Sequence, residues 1–145
     1  MKLVSIVFSF KDEEKNLPEL VSRVTKVLVQ QKNWNYELIF VNDASTDKSE
    51  TILTELQKSY PITIINMSRN FGVAPCVIAG FKQAKGDAVV YMDSDLQDPP
   101  ELIEKLIAEY DKGADVVHTV RTKRLGETKT RPVSYTHLRA HETDS

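Results

Sequence analysis

Asp93-Ser94-Asp95-Leu96-Gln97-Asp98 puts three carboxylates into six residues, directly after the apolar run at 88–92 and before Pro99-Pro100. Asp98 has an ordinary explanation. With a proline behind it and Glu101 three residues on, it reads as the N-cap of a helix with a capping box. Asp93 and Asp95 have no such explanation. Two carboxylates at i and i+2 of a strand end point toward one cleft and repel each other when nothing lies between them. A hard divalent ion, Mg2+ or Mn2+, removes that repulsion and is typically held by one or two carboxylates with substrate phosphates and water. Asp93 and Asp95 are therefore candidate metal ligands, and Gln97 offers a neutral oxygen beside them.

The other strand ends carry weaker signals. After residues 3–8 comes Ser9-Phe10-Lys11-Asp12-Glu13-Glu14-Lys15-Asn16, with no glycine. That excludes a G-x-G-x-x-G dinucleotide turn, and no G-x-x-x-x-G-K-[ST] phosphate loop occurs anywhere. Glu13 and Glu14 suit a helix start, near the positive end of the dipole. After residues 37–41, Asp47 or Ser45 can cap the next helix. Asp43 is left at the sheet edge without a structural need for charge, where its carboxylate could accept an N–H from a nucleobase. Arg69, after residues 62–67, fits an anionic ligand or a neighbouring acid equally well. Gly72 allows a tight turn or a close backbone approach. Ala74, Cys76, Ala79, Gly80 and Ala84 make the following helix small-sided for packing on a sheet, with Cys76 as a core residue. Arg121, Lys123, Arg124 and Lys129 form a basic loop that could hold a phosphate or simply be solvated. His118 falls inside a strand pattern and reads as structural.

The elements that must position these residues alternate along the chain. Short Val- and Ile-rich runs at 3–8, 37–41, 62–67, 88–92 and 115–120 read as buried strands. Between them lie helical stripes: Leu17, Leu20, Val21, Val24, Val27 and Leu28; then Ile52, Leu53 and Leu56; then Val77, Ile78, Phe81 and Ala84; then Leu102, Ile103, Leu106, Ile107 and Tyr110. Gly113 closes the last helix, and Gly86 is expected to do the same before the fourth strand. Five strands and four helices in alternation predict a mostly parallel sheet with helices on both faces and ligands at the carboxyl ends of the strands.

Composition narrows the class. Among 145 residues, Lys and Arg number 19 and Asp and Glu 21, for a net charge of −2. There is no single-sign field to draw nucleic acid. One cysteine excludes an internal disulfide framework or a multi-thiolate metal site. No apolar run reaches the roughly 18 residues of a membrane span, and a cytosolic location follows by default. Residues 131–145 have no apolar period, and SYTHLRAHET resembles translated sequencing-adapter sequence. The expected division is a core at 1–120, a basic catalytic or acceptor loop at 121–130, and a non-native or disordered tail at 131–145.

SIVFSFKDEEKNLPEL, ELIFVNDASTDKS, MSRNFGVAPCVIAGFKQAKGDAVVYMDSDLQDPPELI and GADVVHTVRTKRLGE together resemble the family 2 glycosyltransferases of GT-A fold. Within them the chain is similar to the polyprenyl-phosphate hexosyltransferases, the group of dolichol-phosphate-mannose-synthase-like and bactoprenol-glucosyltransferase-like enzymes. The likeness covers residues 2–130 and implies a Rossmann-like three-layer α/β/α fold. It also implies a nucleotide-diphosphate sugar donor, Mg2+ or Mn2+, and a polyprenyl-phosphate acceptor at the cytoplasmic face of the membrane. The family's P-x-Y-N-E strand end is Ser9 to Glu13 here, with Ser9 and Lys11 in place of proline and tyrosine. Its D-D-G-S turn is Asn42-Asp43-Ala44-Ser45, and its D-x-D-x-Q motif is Asp93, Asp95 and Gln97. An R-x-x-R-x-G-E pattern runs through Arg121, Arg124, Gly126 and Glu127.

By this resemblance Ser9, Lys11, Glu13, Asp43, Arg69, Asp93 and Ser94 face the donor. Asp93, Asp95 and Gln97 face the metal, and Asp95, Arg121 and Arg124 act in catalysis. The expected reaction is transfer of a hexose with inversion. A homo-oligomer is left open. The rivals are a catalytically incomplete nucleotide-sugar-binding fragment, a phospho-receiver-like signalling module, whose acceptor aspartate would follow the third strand, and a nucleotidyltransferase, which would carry a glycine-rich loop after the first.

Overall fold

Four of the five apolar runs pair into one parallel sheet. The computed structural model describes residues 1–113, 116–121 and 130–135. Its elements are β1 (Lys2–Phe10), α1 (Leu17–Val29), β2 (Trp34–Asn42), α2 (Ser49–Leu56), β3 (Ile62–Asn66), α3 (Val73–Gln83), β4 (Ala88–Asp93), α4 (Leu102–Asp111), β5 (Val116–Arg121) and β6 (Thr130–Tyr135). The sheet order is β3-β2-β1-β4, with Phe8 in register with both Phe40 and Met92.

Both sheet faces are covered, which is why its central strands read as continuous apolar runs rather than alternating ones. On one face Val4, Ile6, Phe8, Leu38, Phe40 and Met92 meet the stripe of α1 together with Leu53 of α2 and Ile103, Leu106 and Ile107 of α4. Phe8 and Phe40 stack with ring centroids 4.7 Å apart. On the other face Val7, Ile39 and Val41 meet Cys76 of α3. The small side of α3 has a steric cause: a Cβ on Gly80 would overlap Val7 Cγ1 and stand 3.3 Å from Val41 Cγ2.

Several expectations change. The fifth strand does not join the parallel sheet. β5 pairs antiparallel with β6, Val116 opposite Tyr135 and Arg121 opposite Thr130. An apolar run announces a strand but not its partner, and the connection at 122–129 is long enough for an antiparallel return. Residues 131–135, where no period predicts an element, lie in β6; residues 136–145 lie outside the described residues. Gly86 does not close a helix. α3 ends at Gln83, and Gly86 instead lies against β1, where a Cβ would come within 2.6 Å of Ser5 Oγ and 2.7 Å of Ser5 N. At α4 the Glu101 side chain is not the reciprocal half of a capping box. That helix starts at Leu102 with no side-chain cap bond, and the Glu101 carboxylate is held by Arg23 Nη2 at 2.6 Å.

Candidate active site

From β1 the chain steps to β2 and β3 on one side, then crosses to β4 on the other. The loops leaving β1 and β4 therefore diverge, and a crevice opens between them at the carboxyl edge of the sheet. A cleft of about 260 Å³ lies there, lined by Ser9, Phe10, Lys11, Glu13, Asp43, Val73, Cys76, Asp93, Ser94 and Asp95. Seven of the residues singled out from sequence thus share one cavity.

Asp93 ends β4 and Asp95 lies two residues beyond it. Asp93 Oδ1 accepts the Tyr91 hydroxyl at 3.0 Å, and Asp95 Oδ1 accepts the Gln97 N–H at 3.0 Å. Each carboxylate keeps its second oxygen clear of hydrogen bonds among the described residues. Two hard oxygens facing one cleft suit Mg2+ or Mn2+ in chemistry, with phosphate and water completing the shell. No group of three or more His, Cys, Asp or Glu is placed to hold a metal ion among the described residues. The expected third ligand is not in place: Gln97 is exposed, its side chain does not line the cleft, and its backbone serves to fix Asp95. Leu96, between them, has φ +63°, and this left-handed turn swings residue 97 away.

Tyr91 is the neighbour of Asp93 that residue-type reasoning missed. It sits inside an apolar run, yet the strand period of two puts it on the same face as Asp93. Its single hydroxyl proton goes to Asp93, so Ser9 Oγ, 2.7 Å away, is the donor to Tyr91. Burial pushes the Tyr91 hydroxyl up to about 12, and the Asp93 charge adds to that, so it remains protonated at working pH. Ser94 Oγ donates to the Ser9 carbonyl at 2.9 Å and ties the ends of β1 and β4 together.

Asp43 has the structural task that the sequence reading denied it. Its Oδ1 accepts the Phe71 N–H at 2.7 Å and its Oδ2 the Gly72 N–H at 3.0 Å. The carboxylate therefore pins the turn that launches α3, where Gly72 has φ +92°. Any nucleobase contact must use its remaining lone pairs. Burial, reinforced by the Asp43 charge, raises the Cys76 thiol to about 11 and keeps it protonated. Asn42 spends its amide internally, donating to Asn66 Oδ1 at 3.0 Å and accepting the Ser45 N–H at 2.9 Å.

The loops after β1 and β2 are laced together. Asp12 Oδ1 accepts the Thr46 and Asp47 N–H groups at 2.7 and 3.2 Å, and the Asp12 N–H goes to Ser45 Oγ at 2.9 Å. The Glu13 carboxylate accepts the Asn16 amide at 2.6 Å and stays in the cleft wall. Neither expected residue is the N-cap of α2: Lys48 holds that position with no side-chain cap bond, while Asp47 accepts the Ser49 N–H at 2.9 Å and Ser45 is turned to Asp12. Asp12 and Ala44, like Leu96, hold positive φ, at 56° and 61°. All three non-glycine residues of this kind among those described lie just beyond parallel strands at the cleft edge, the usual place for stored backbone strain.

The remaining candidates fall elsewhere. Arg69 is exposed, stacks its guanidinium 4.2 Å from the Phe71 ring, makes no ion pair among the described residues and does not line the cleft. Arg121 ends β5, and Arg124 lies outside the described residues.

A family model for glycosyl transferase family 2 matches residues 5–144. The chain belongs to that family. It is 48% identical over 125 residues to a protein of Bacillus subtilis (strain 168) named uncharacterized glycosyltransferase YkcC, covering 86% of this chain and 38% of that one. It is 44% identical over 123 residues to the undecaprenyl-phosphate 4-deoxy-4-formamido-L-arabinose transferase of Pseudomonas fluorescens (strain Pf0-1), covering 83% and 36%. It therefore spans little more than a third of the length of these curated relatives. Among solved structures, residues 1–349 of S. aureus TarS superpose with a TM-score of 0.69 at 24% identity, covering 89% of this chain and 38% of that one. The mannosyltransferase PcManGT of Pyrobaculum calidifontis, in complex with GDP-Man and Mn2+, superposes at 0.57 with 20% identity, covering 63% and 27%. These likenesses establish the GT-A, Rossmann-like α/β fold. The receiver-like alternative falls on topology too, since a flavodoxin-like sheet runs 2-1-3-4-5 and this one runs β3-β2-β1-β4. No helix among the described residues is long and apolar enough to cross a membrane.

Proposed function

We propose that this chain is the donor-binding part of an inverting transferase that moves a hexose from a nucleotide-diphosphate sugar to a polyprenyl phosphate at the cytoplasmic face of the membrane. The observation that carries this reading is the convergence of Asp93 and Asp95, each with an oxygen to spare, with Ser9, Lys11, Glu13 and Asp43 in one cleft at the switch point of the sheet. Asp93 and Asp95 would hold Mg2+ or Mn2+, which when bound offsets the charge that gathers on the departing diphosphate. Lys11 adds a positive charge on the β1 side, and Glu13 and Asp43 supply acceptors for base or ribose. The acceptor's phosphate oxygen attacks the anomeric carbon from the face opposite the diphosphate. The new C–O bond forms as the old one breaks, and the electron pair leaves with the diphosphate. That oxygen is already anionic at neutral pH, so no side chain need act as a strong base. Arg121 and Arg124 are assigned to the acceptor phosphate, which an arginine can grip with two parallel N–H bonds. The acceptor is named from the resemblance and from the undecaprenyl-phosphate transferase relative.

A second reading has its own support. The chain spans little more than a third of its curated relatives, and on this reading these 145 residues bind donor without completing transfer. Calorimetry with UDP and GDP, with and without Mn2+, tests the common core of both readings. Wild-type chain should bind one nucleotide more tightly when Mn2+ is present, and Asp95→Asn should erase that gain. Equal affinity with and without metal in the wild type would defeat the proposal. A transfer assay on the same sample then separates catalysis from binding alone.

A further inference from the structure

We infer that Tyr91 is a positioning residue for Asp93, set in turn by the Ser9 hydroxyl, and that this three-membered chain fixes which carboxylate oxygen faces the metal. The inference rests on the donor-site reading above and deepens it. Ser9 and Asp93 are register partners on β1 and β4. Tyr91 lies two residues before Asp93 on the same strand face, and its hydroxyl sits 2.7 Å from Ser9 Oγ and 3.0 Å from Asp93 Oδ1. A carboxylate torsion is broad and roughly two-fold, so an unrestrained Asp93 would present either oxygen or neither. The bond from Tyr91 occupies Oδ1 and leaves Oδ2 as the ligand. Tyr91 is itself half-buried, packed against the Val7, Ile39, Val41 and Cys76 cluster under α3, so its ring is held from below. The Ser9 hydroxyl then donates to the phenol oxygen and aligns the proton toward Asp93. Residue 9 is where the P-x-Y-N-E pattern has proline. A proline has no hydroxyl to give, so the relay belongs to this chain's own pairing of Ser9 with Tyr91.

The test is a binding measurement on the 145-residue chain, with UDP and GDP as probes, each with and without Mn2+. The readout is the gain in nucleotide affinity that Mn2+ confers. Outer-shell partners of metal ligands are worth about 10- to 100-fold in metal affinity, so Tyr91→Phe should cut the gain about tenfold while leaving metal-free affinity within about twofold. A merely structural role would lower both affinities or neither. Ser9→Ala should cut the gain less, and adding it to Tyr91→Phe should reduce the gain no further, because the relay is already broken. A wild-type gain in Tyr91→Phe, alongside loss of the gain in Asp93→Asn, would overturn this inference and leave the donor site standing. A gain that survives Asp93→Asn, or no gain in the wild type with either nucleotide, would overturn both. Additive effects of the Ser9 and Tyr91 changes would also refute the relay.

Discussion

Replacing Asp43 by asparagine removes a charge from a cramped place. Its two oxygens take the Phe71 N–H at 2.7 Å and the Gly72 N–H at 3.0 Å, and the residue is only 8% exposed. Asparagine keeps one acceptor oxygen but turns an NH2 group toward the other N–H, so one bond becomes a donor facing a donor. A hydrogen bond to a charged group contributes about 1.5–3 kcal/mol. The variant loses one of these outright and weakens the other to a neutral bond, for a total of about 2.5–4.5 kcal/mol before any compensation. Part of the loss is recovered where water reaches the exposed turn, so about 2 kcal/mol is the figure to expect. With a urea slope of about 2 kcal/mol/M, that moves the denaturation midpoint down by about 1 M. Amide exchange at Phe71 and Gly72 should speed up beyond what global destabilisation explains, because the turn opens locally. A midpoint within about 0.2 M of wild type, with those two amides unchanged, would refute the argument that Asp43 is the pin of the α3 turn.

Gly80→Ala should destabilise despite the gain in helix propensity of about 1 kcal/mol. The new methyl overlaps Val7 Cγ1, both facing valines are stiff β-branched side chains, and overpacking costs about 1–3 kcal/mol; a thermal midpoint above wild type would contradict this. Ala44→Gly should raise stability by about 1 kcal/mol, since alanine holds φ +61° there and that region disfavours a Cβ; a lowered midpoint in urea would count against stored strain at the turn. Arg23 holds the Glu101 carboxyl below its ordinary 4.5. Its contribution is therefore complete above that value and is lost as pH falls through the lowered one. Glu101→Gln should remove up to about 1 kcal/mol at pH 7 and progressively less as acid protonates the carboxyl, and should matter less in high salt; an equal loss at pH 7 and in acid would break the linkage.

How much of this was legible in the residues depended on how far each partner lay along the chain. Asp93 and Asp95 stood out because a buried run led straight into acids that no cap explained, and the cleft holds both. The carboxyl-edge location followed from alternation alone, since parallel strands linked by helices leave their polar loops at that edge. Tyr91 was hidden by its company: in VVYMD it counts as one more apolar residue, although a period of two already placed it beside Asp93. Asp43 was misjudged because the N–H groups that claim it lie 28 and 29 residues further on, and no local pattern announces such a contact. Gly86 was read as a helix end when its need is room against Ser5, and a missing side chain looks alike in both cases. Glu101 stood at the right spacing for a capping box, but Arg23 of α1, 78 residues away, claims it first. The partner of β5 was not readable at all, because an apolar run carries no mark of which edge it will join.

The central claim is that Asp93 and Asp95 together receive a divalent ion bound to a donor's diphosphate. Anomalous diffraction from crystals of this chain soaked with Mn2+ and the nucleotide that calorimetry selects tests it most directly. The account predicts a manganese peak within about 2.0–2.4 Å of an oxygen of each aspartate, with Asp93 contributing the oxygen that Tyr91 leaves free. A manganese-free cleft with nucleotide bound, or a peak held by other side chains, would contradict it.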